Sequence, residues 1–260
     1  MVLAAPQRQT PVVTWEKLPD DFILPDDPVE SIQQPSLAAA LTDALGTANR
    51  IQPQMLIASN FGLVANINQK TVVKAPDWLY VPSVLPVGAG VVRRSYTPNT
   101  EGENVAVVME FLSDTDNAEY SIRPTFPYGK LYFYERILQV PTYVIFNPYE
   151  VTLEVRRLEN DQYFLQEPSA SGRFWIPELK LYLGIWQGTR LGLSIYWLRW
   201  WDEAGNLLLW SSEQAEQERQ RGEQERQRAD DAIAQLEIER QRQATLAAKL
   251  RELGIDPDAE

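Results

Sequence analysis

The apolar residues between positions 51 and 210 fall into short runs of the kind that form β-strands. Three of these runs are MLIAS at 55–59, LVANI at 63–67 and TVVKAPDWLYVP at 71–82, and Gly, Asn and Pro punctuate them. The run VAVVMEFL at 105–112 is almost wholly apolar and rich in Val, which predicts a central strand buried on both faces. Glu110 is the only charged residue in that run.

A helix is predicted before the strands, where the spacing of apolar residues is helical. It begins at Ser36, a suitable N-cap, and ends at Gly46, a suitable C-cap residue. Its leucines recur every four residues and therefore share one face: Leu37, Leu41 and Leu45. We expect this helix to cover one side of a sheet.

A second helix is predicted directly after the buried strand. Leu131, Tyr134 and Leu138 have helical spacing, and Pro141 stops the helix. The next run, TYVIFN at 142–147, is again typical of a strand. Buried strand, helix and strand in this order predict a crossover connection on an α/β sheet.

The last part of the chain changes from apolar to highly charged. Residues 197–210, WLRWWDEAGNLLLW, predict a closing hairpin that turns at Glu203 to Asn206. Beyond them AEQERQR at 215–221 is repeated as GEQERQR at 222–228, which predicts a long charged helix with a heptad repeat. Leucines near its end form an apolar seam: Leu236, Leu246, Leu250 and Leu253. A solvated single helix held by charge pairs and a coiled coil both fit this pattern.

These patterns divide the chain into four parts. We predict an extended Pro-rich arm at residues 1–29, an α/β domain at 30–210, a heptad-repeat charged helix at 211–254 and a short tail at 255–260. The chain has 260 residues and 44% apolar content, which suffices for one domain of ordinary size with an appendage.

The composition excludes several kinds of chemistry, because the chain has no Cys and no His. Disulfides, thiolate metal sites and cysteine nucleophiles are impossible. Ser-His-Asp hydrolases, zincins and histidine-dependent nucleases are excluded as well, since each needs an imidazole. Carboxylate and lysine chemistry remains, and a site of carboxylate and backbone oxygens suits a hard cation such as Mg²⁺.

Hydropathy and charge indicate where the protein is expected to be found and what it is expected to bind. No uninterrupted apolar run of about 18 residues is present, so we expect a cytoplasmic protein without membrane contact. The net charge of -12 argues against nonspecific adhesion to nucleic acid. A local basic groove is still compatible with it, because five cations fall within one stretch: Arg93, Arg94, Arg123, Lys130 and Arg136.

Three charged residues interrupt apolar surroundings: Asp77 in APDWLYVP, Glu110 in VVMEFLS, and Lys130 at the start of the second helix. An Asp after Pro is commonly a turn residue and a lysine at a helix start is usually solvated, but a carboxylate in a buried strand needs a partner or a cation. If neighbouring strands bring Asp77 beside Glu110, a divalent ion relieves their repulsion. With Lys130 close by, such a site serves phosphodiester hydrolysis without histidine.

Several segments resemble those of a known family. The segments PDWLYVP, VVMEFLSDTD, EYSIRP, GKLYFYERILQVPTYVIFNP and GRFWIPELKLYLGIWQG are similar to those of the cyanobacterial restriction endonuclease family of the Uma-two type, within the PD-(D/E)xK nuclease superfamily. The resemblance covers about residues 20–210. It implies a restriction-endonuclease-like α/β fold, a mixed sheet with flanking helices, and cleavage of DNA that depends on Mg²⁺ or Mn²⁺.

The resemblance also implies roles for single residues. The PD aspartate of the family matches Asp77, its strand glutamate matches Glu110, and its helix lysine matches Lys130. The metal ligands that it implies are the two carboxylates, the backbone carbonyl of Phe111 and, from the first helix of the superfamily, Glu30.

The pattern departs from the superfamily in one respect. The lysine of the (D/E)xK motif stands two residues after the acid, where this chain has Leu112, so Lys130 has to reach in from the next helix. Arg93 and Arg94 lie between the two acidic segments, and contact with DNA phosphate and a place in a solvated loop both fit them.

Two functions stay open on the sequence. The first is an Mg²⁺-dependent endodeoxyribonuclease, whose partner is DNA. The second is a catalytically silent protein of nuclease fold that uses its C-terminal helix to bind a partner. A carbohydrate-acting enzyme with two carboxylates is disfavoured, because it gives Lys130 no role. A homodimer, formed through the nuclease domain or the C-terminal helix, is compatible with the first two.

Overall fold

A computed structural model describes residues 31–68, 70–113 and 118–252. The predicted arm at 1–29, the candidate ligand Glu30 and the tail at 255–260 lie outside these residues. The elements follow in this order: α1 (Gln33–Thr47), β1 (Leu56–Ala58), β2 (Gly62–Ile67), β3 (Lys70–Lys74), β4 (Trp78–Val81), β5 (Ser95–Tyr96), β6 (Val107–Phe111), a 3-10 turn (Ala118–Tyr120), α2 (Lys130–Tyr132), a π-helical turn (Phe133–Ile137), β7 (Thr142–Asn147), β8 (Thr152–Glu159), β9 (Gln162–Leu165), β10 (Phe174–Ile176), β11 (Leu181–Arg190), β12 (Leu193–Trp201) and α3 (Ser211–Glu252).

A six-stranded mixed sheet forms the centre of the fold, in the order β1-β4-β6-β7-β8-β9. Strands β6 and β7 are parallel, whereas the other neighbouring pairs in this sheet are antiparallel. Parallel neighbours need a crossover connection, and α2 lies in the segment that joins these two strands. The predicted crossover and the mixed α/β fold of restriction-endonuclease type are confirmed.

The crossover helix differs from the regular α-helix that the spacing predicts. It is α-helical only at Lys130–Tyr132 and continues as the π-helical turn. The N–H of Leu138 donates to the carbonyl of Phe133, five residues earlier, at 2.9 Å. Such wide turns are rare and occur often at functional sites.

Strand β6 is buried over its whole length, as predicted. Successive side chains of a strand point to opposite faces of the sheet. Val107, Met109 and Phe111 belong to the core on one face, and Val108 belongs to the core on the other. Glu110 therefore points to the same face as Val108.

The first face of the sheet is covered by α1 and by a three-stranded sheet, β10-β11-β12. The predicted leucine face of α1 is fully buried, but the helix begins at Gln33 rather than at Ser36. The Ser36 hydroxyl lies in the first turn and donates to the carbonyl of Ile32 at 2.8 Å. Two buried tryptophans hydrogen-bond to α1. The indole N–H of Trp200, on β12, donates to the Leu41 carbonyl, and that of Trp210, just before α3, donates to the Ala40 carbonyl.

The second face is covered by a smaller sheet, β3-β2-β5, and by α2 with its π-helical turn. Its core contains the inward side chains of both layers, among them Leu79, Val108, Leu131 and Tyr143. Because Glu110 points to this face, any site that uses it lies between the central sheet and α2.

The predicted closing hairpin is present only as a short one, because most of its first strand belongs to a longer hairpin. Strand β12 pairs along its length with β11, in a long hairpin that turns at Leu191 and Gly192 with φ of 49° and 79°. The predicted turn is present between Asp202 and Asn206, but beyond it only Trp201 and Leu207 form a bridge. Residues 197–201, the predicted first strand of the closing hairpin, belong to β12, which is also the second strand of the hairpin with β11.

The charged repeat forms the 42-residue helix α3, none of whose residues is buried. Ion pairs three and four residues apart run along it, such as Arg219 with Glu216 at 2.7 Å and Arg221 with Glu225 at 3.0 Å. A single charge-paired helix accounts for these contacts, and a coiled coil stays a prediction. Within the described ranges, no helix has both the length and the apolar character needed to cross a bilayer.

Candidate active site

Strand register brings Asp77 and Glu110 together. In the antiparallel pair of β4 and β6, Trp78 lies opposite Met109. Asp77 directly precedes β4, and one further step in this register brings it level with Glu110, whose pKa the Asp77 carboxylate raises. Oδ2 of Asp77 accepts the backbone N–H of Phe111 at 2.5 Å, which fixes this carboxylate beside the end of β6.

Lys130 joins this pair from α2. Its Nζ atom donates to Oε2 of Glu110 and to Oε1 of Glu119, each at 3.1 Å. The hydroxyl of Tyr134 donates to the other oxygen of Glu110 at 2.8 Å. Lys130 and Tyr134 stand four residues apart and therefore share one face of the helix. The structure thus brings Asp77, Glu110 and Lys130 into one cluster.

Glu119 is a third acid that the sequence analysis missed. It lies in the 3-10 turn, and its backbone carbonyl accepts the hydroxyl of Tyr143 at 2.9 Å. One carboxylate oxygen holds Lys130, whereas Oε2 is buried and finds no hydrogen-bond partner among the described residues. Nothing in the local sequence marks this residue, because it approaches Lys130 only through tertiary packing.

The turn after Glu119 and the start of α2 form one closely packed unit. A Cβ atom at Gly129 would lie only 2.1 Å from the carbonyl oxygen of Ser121. The N–H of Tyr132 donates to the same oxygen at 3.3 Å. Glycine at position 129 therefore allows the segment after Glu119 to pack directly against the start of α2, which carries Lys130.

Burial controls the protonation of Glu110. Its side chain has no exposed surface, and this desolvation raises its pKa from 4.5 to about 8. The Lys130 ammonium opposes the rise, whereas the Asp77 carboxylate adds to it. In the absence of a further cation, Glu110 is therefore mostly protonated at neutral pH.

Lys130 has the opposite behaviour. Burial alone would lower its pKa, but the carboxylates of Glu110 and Glu119 outweigh burial and raise the pKa well above the ordinary range. Lys130 is therefore a fixed positive charge and not a proton acceptor at neutral pH. A second lysine, Lys74 at the end of β3, has a pKa lowered by burial and by Lys130, although Glu110 opposes this. The charges of Lys130 and Glu110 therefore influence the pKa of a residue on β3.

The remaining predicted residues lie apart from this cluster or at its edge. The carbonyl of Phe111 accepts the side-chain amide of Gln34 at 2.7 Å, a buried contact from α1 that the sequence analysis missed. Arg93 is paired with Glu101 at 2.5 Å and also donates to the Leu85 carbonyl, while Arg94 is exposed. Their contact with DNA phosphate stays a prediction.

The oxygen atoms of this cluster suit a hard divalent ion in an open site, where water and phosphate supply the other ligands. Two carboxylates and a backbone carbonyl are oxygen ligands, and each carboxylate oxygen of Glu110 keeps a lone pair besides the one that accepts Tyr134 or Lys130. In the portion of the chain that is described, three or more acidic residues nowhere converge into a metal cage. Mg²⁺ is usually held by one or two carboxylates, with water and phosphate as its other ligands.

The arrangement as a whole combines features suited to reactions of phosphates. Two carboxylates on adjacent strands offer a place for a cation, and a fixed ammonium lies beside them. Tyr134, whose pKa is raised well above 10 by burial and by Glu110, stays a hydroxyl donor that orients Glu110. Its position four residues after Lys130 was the one signal in the sequence that could have identified it.

Comparison with known proteins identifies a family. No curated protein matches the chain. The family model Uma2, described as putative restriction endonuclease, matches residues 17–196, which is well over half of the chain. The match covers the strands of Asp77 and Glu110 as well as α2, while a cyanobacterial source stays a prediction. The chain belongs to the Uma2 family of putative restriction endonucleases.

Proposed function

We propose that the protein is a divalent-metal-dependent endodeoxyribonuclease that hydrolyses phosphodiester bonds. The observation that supports it best is the cluster of two acids and one amine: the Asp77 carboxylate accepts the Phe111 N–H and raises the pKa of Glu110, and the Lys130 ammonium lies 3.1 Å from Glu110. Membership of the Uma2 family supports a nuclease of the PD-(D/E)xK type and DNA as the substrate. The absence of His leaves carboxylates and lysine as the groups able to serve this chemistry.

In this proposal Asp77, Glu110 and the Phe111 carbonyl hold Mg²⁺ or Mn²⁺. When bound, such an ion lowers the pKa of a coordinated water and neutralises charge on the phosphate. Glu110 is well placed for this role because its burial leaves it short of favourable interactions for its negative charge. Asp77 is held by the Phe111 N–H at the same strand end, so both carboxylates have fixed orientations.

Lys130 acts as a positive charge that positions the attacking water or the scissile phosphate. Its raised pKa disfavours a role as proton acceptor, since a lysine must lose its proton to act as a base. Glu119 is the positioning residue for this lysine, because it supplies a second carboxylate contact at 3.1 Å. Lys130 therefore keeps a partner when Glu110 contacts a metal.

Supercoiled plasmid incubated with Mg²⁺ or Mn²⁺ tests the proposal. We expect the wild type to cut, and Asp77→Asn and Glu110→Gln to cut at least about a hundredfold more slowly, the usual scale for loss of one electrostatic group. Glu135→Gln is the matched control, because Glu135 is a partly buried carboxylate that pairs with Arg136. Circular dichroism checks that each variant is folded. A wild type that leaves plasmid whole with both cations, or a Glu110→Gln protein that cuts normally, contradicts the proposal.

The alternative is a catalytically silent nuclease-fold protein that binds a partner through α3. Its support is that none of the residues of this helix is buried. The first turn is held by an ion pair of 2.6 Å between Glu213 and the fully buried Arg199. Truncation after Arg221 keeps that anchor and removes most of the helix. Loss of a copurifying complex from a protein that never cuts plasmid supports this alternative, whereas metal-dependent cutting contradicts it.

A further inference from the structure

A second lysine faces the candidate site from the layer that covers it. Lys74 is the last residue of β3 and lies opposite Leu63 of β2. Residues directly opposite each other in an antiparallel pair point to the same face, and Leu63 is fully buried in the core beneath this small sheet. The Lys74 side chain therefore points towards the second face of the central sheet, to which Glu110 also points.

Chain connectivity and charge both place Lys74 near the cluster of acids and Lys130. Asp77 follows Lys74 by three residues, so their Cα atoms lie within about 11 Å of each other. Burial lowers the pKa of Lys74, the Lys130 ammonium lowers it further, and the Glu110 carboxylate opposes this. Because the interaction between two charges weakens with distance, both groups lie close enough to act on Lys74. Lys74 thus approaches the cluster from β3, whereas Lys130 enters it from α2.

The two lysines differ in what their ammonium groups bind. Glu110 and Glu119 each accept the ammonium of Lys130 at 3.1 Å. No carboxylate in the described part of the chain forms an ion pair with Lys74. The Lys74 side chain is partly exposed, so a ligand can reach it from solvent. Its N–H donors are therefore available to an anion, while two donors of Lys130 are already in use.

We propose that Lys74 binds a phosphate group of the DNA at the candidate site, as a second cation beside Lys130. This inference rests on the proposed nuclease function and adds a substrate-binding residue to it. When Asp77, Glu110 and Glu119 are ionised, the two ammonium groups leave the cluster with one net negative charge, and a divalent ion turns this into one net positive charge. Without Lys74 the same cluster with its ion would be neutral and would attract phosphate less.

The salt dependence of DNA binding tests the inference. Fluorescence anisotropy with a short fluorescein-labelled duplex is measured with Mg²⁺ in the full-length Asp77→Asn protein, which we expect to cut slowly. Lys74→Met removes the charge and keeps the aliphatic stem, whereas Lys74→Arg keeps the charge. Each phosphate contact contributes about 0.9 to the slope of log affinity against log salt concentration. We expect Lys74→Met to reduce the slope by about 0.9, which is about 3.5-fold less loss of affinity than in the parent between about 50 and 200 mM salt. Lys74→Arg should keep the slope of the parent.

The matched control is Lys180→Met, because Lys180 is an exposed lysine between β10 and β11, in the layer that covers the other face. Its slope should equal that of the parent, and circular dichroism checks that each variant is folded. A purely structural role for Lys74 would lower affinity without changing the slope. An unchanged slope for Lys74→Met, a slope for Lys74→Arg as low as for Lys74→Met, or no binding of the duplex by the Asp77→Asn parent overturns the inference. Plasmid cutting by the wild type is measured separately, so failure of the Lys74 inference does not imply failure of the nuclease proposal.

Discussion

Replacement of Glu110 by Gln should change how the stability of the protein depends on pH. Burial, opposed by Lys130 and reinforced by Asp77, raises the pKa of Glu110 from 4.5 to about 8 in the folded protein. The folded state therefore binds this proton more tightly than the unfolded chain does. The free energy of unfolding then decreases as the pH rises from about 4.5 to about 8 and is level above that range.

The size of the effect follows from the same values. A tenfold change in proton affinity is worth about 1.4 kcal/mol, so the full difference in pKa corresponds to about 5 kcal/mol, of which about 3 kcal/mol falls between pH 5 and pH 8. Gln has nearly the same size, can accept the Tyr134 hydroxyl, and has no proton to lose. The Glu110→Gln protein should therefore gain about 3 kcal/mol relative to the wild type when the pH is raised from 5 to 8.

Urea unfolding in EDTA, followed by tryptophan fluorescence at both pH values, measures this gain. Subtracting the change in wild-type stability between the two pH values from the change in the variant removes the contribution of the titrating groups that both proteins share. Glu135→Gln shows what loss of a partly buried carboxylate outside the site does. A Glu110→Gln protein whose stability falls between pH 5 and pH 8 as steeply as that of the wild type would refute the reasoning, because Glu110 would then not take up its proton in this range.

Two further variants test how Lys130 is positioned. Gly129→Ala places a Cβ atom 2.1 Å from the Ser121 carbonyl oxygen, so the start of α2 must move; we expect about 1–3 kcal/mol lower stability in urea and slower plasmid cutting. Glu119→Gln removes the charge of the second partner of Lys130, and we expect a lower kcat with little change in KM for DNA. A rise in KM as large as the fall in kcat, or rates equal to those of the wild type, contradicts a positioning role for Glu119.

The order of strands could be predicted where local pattern determines it. The apolar run of β6, the strand-like β7 and the intervening helix identify the crossover, because burial on both faces requires continuous apolar sequence. The pairing of β12 could not be predicted in this way. Residues 197–201 suit either side of a hairpin, and in the fold β12 pairs along its length with β11 while Trp201 also bridges Leu207 beyond the turn.

The site was predictable only in part for a similar reason. A charge in a buried strand is visible in the sequence, and so are Asp77 and Lys130 at the edges of apolar segments. Glu119 and Gln34 are polar residues in ordinary polar surroundings, and only the folded chain brings them to Lys130 and to the Phe111 carbonyl.

The buried carboxylate also connects the stability of the fold with the proposed cation. Glu110 lowers stability at high pH because its charge is poorly solvated, and Asp77 increases this effect. A divalent ion between the two carboxylates would relieve both the desolvation and the repulsion. Saturating Mn²⁺ at pH 8 should therefore raise the melting temperature of the wild type, with about 2.7 kcal/mol of stabilisation at a hundredfold excess over Kd. The same ion should stabilise Glu110→Gln and Asp77→Asn much less, whereas equal stabilisation of all three proteins would show that the ion binds elsewhere.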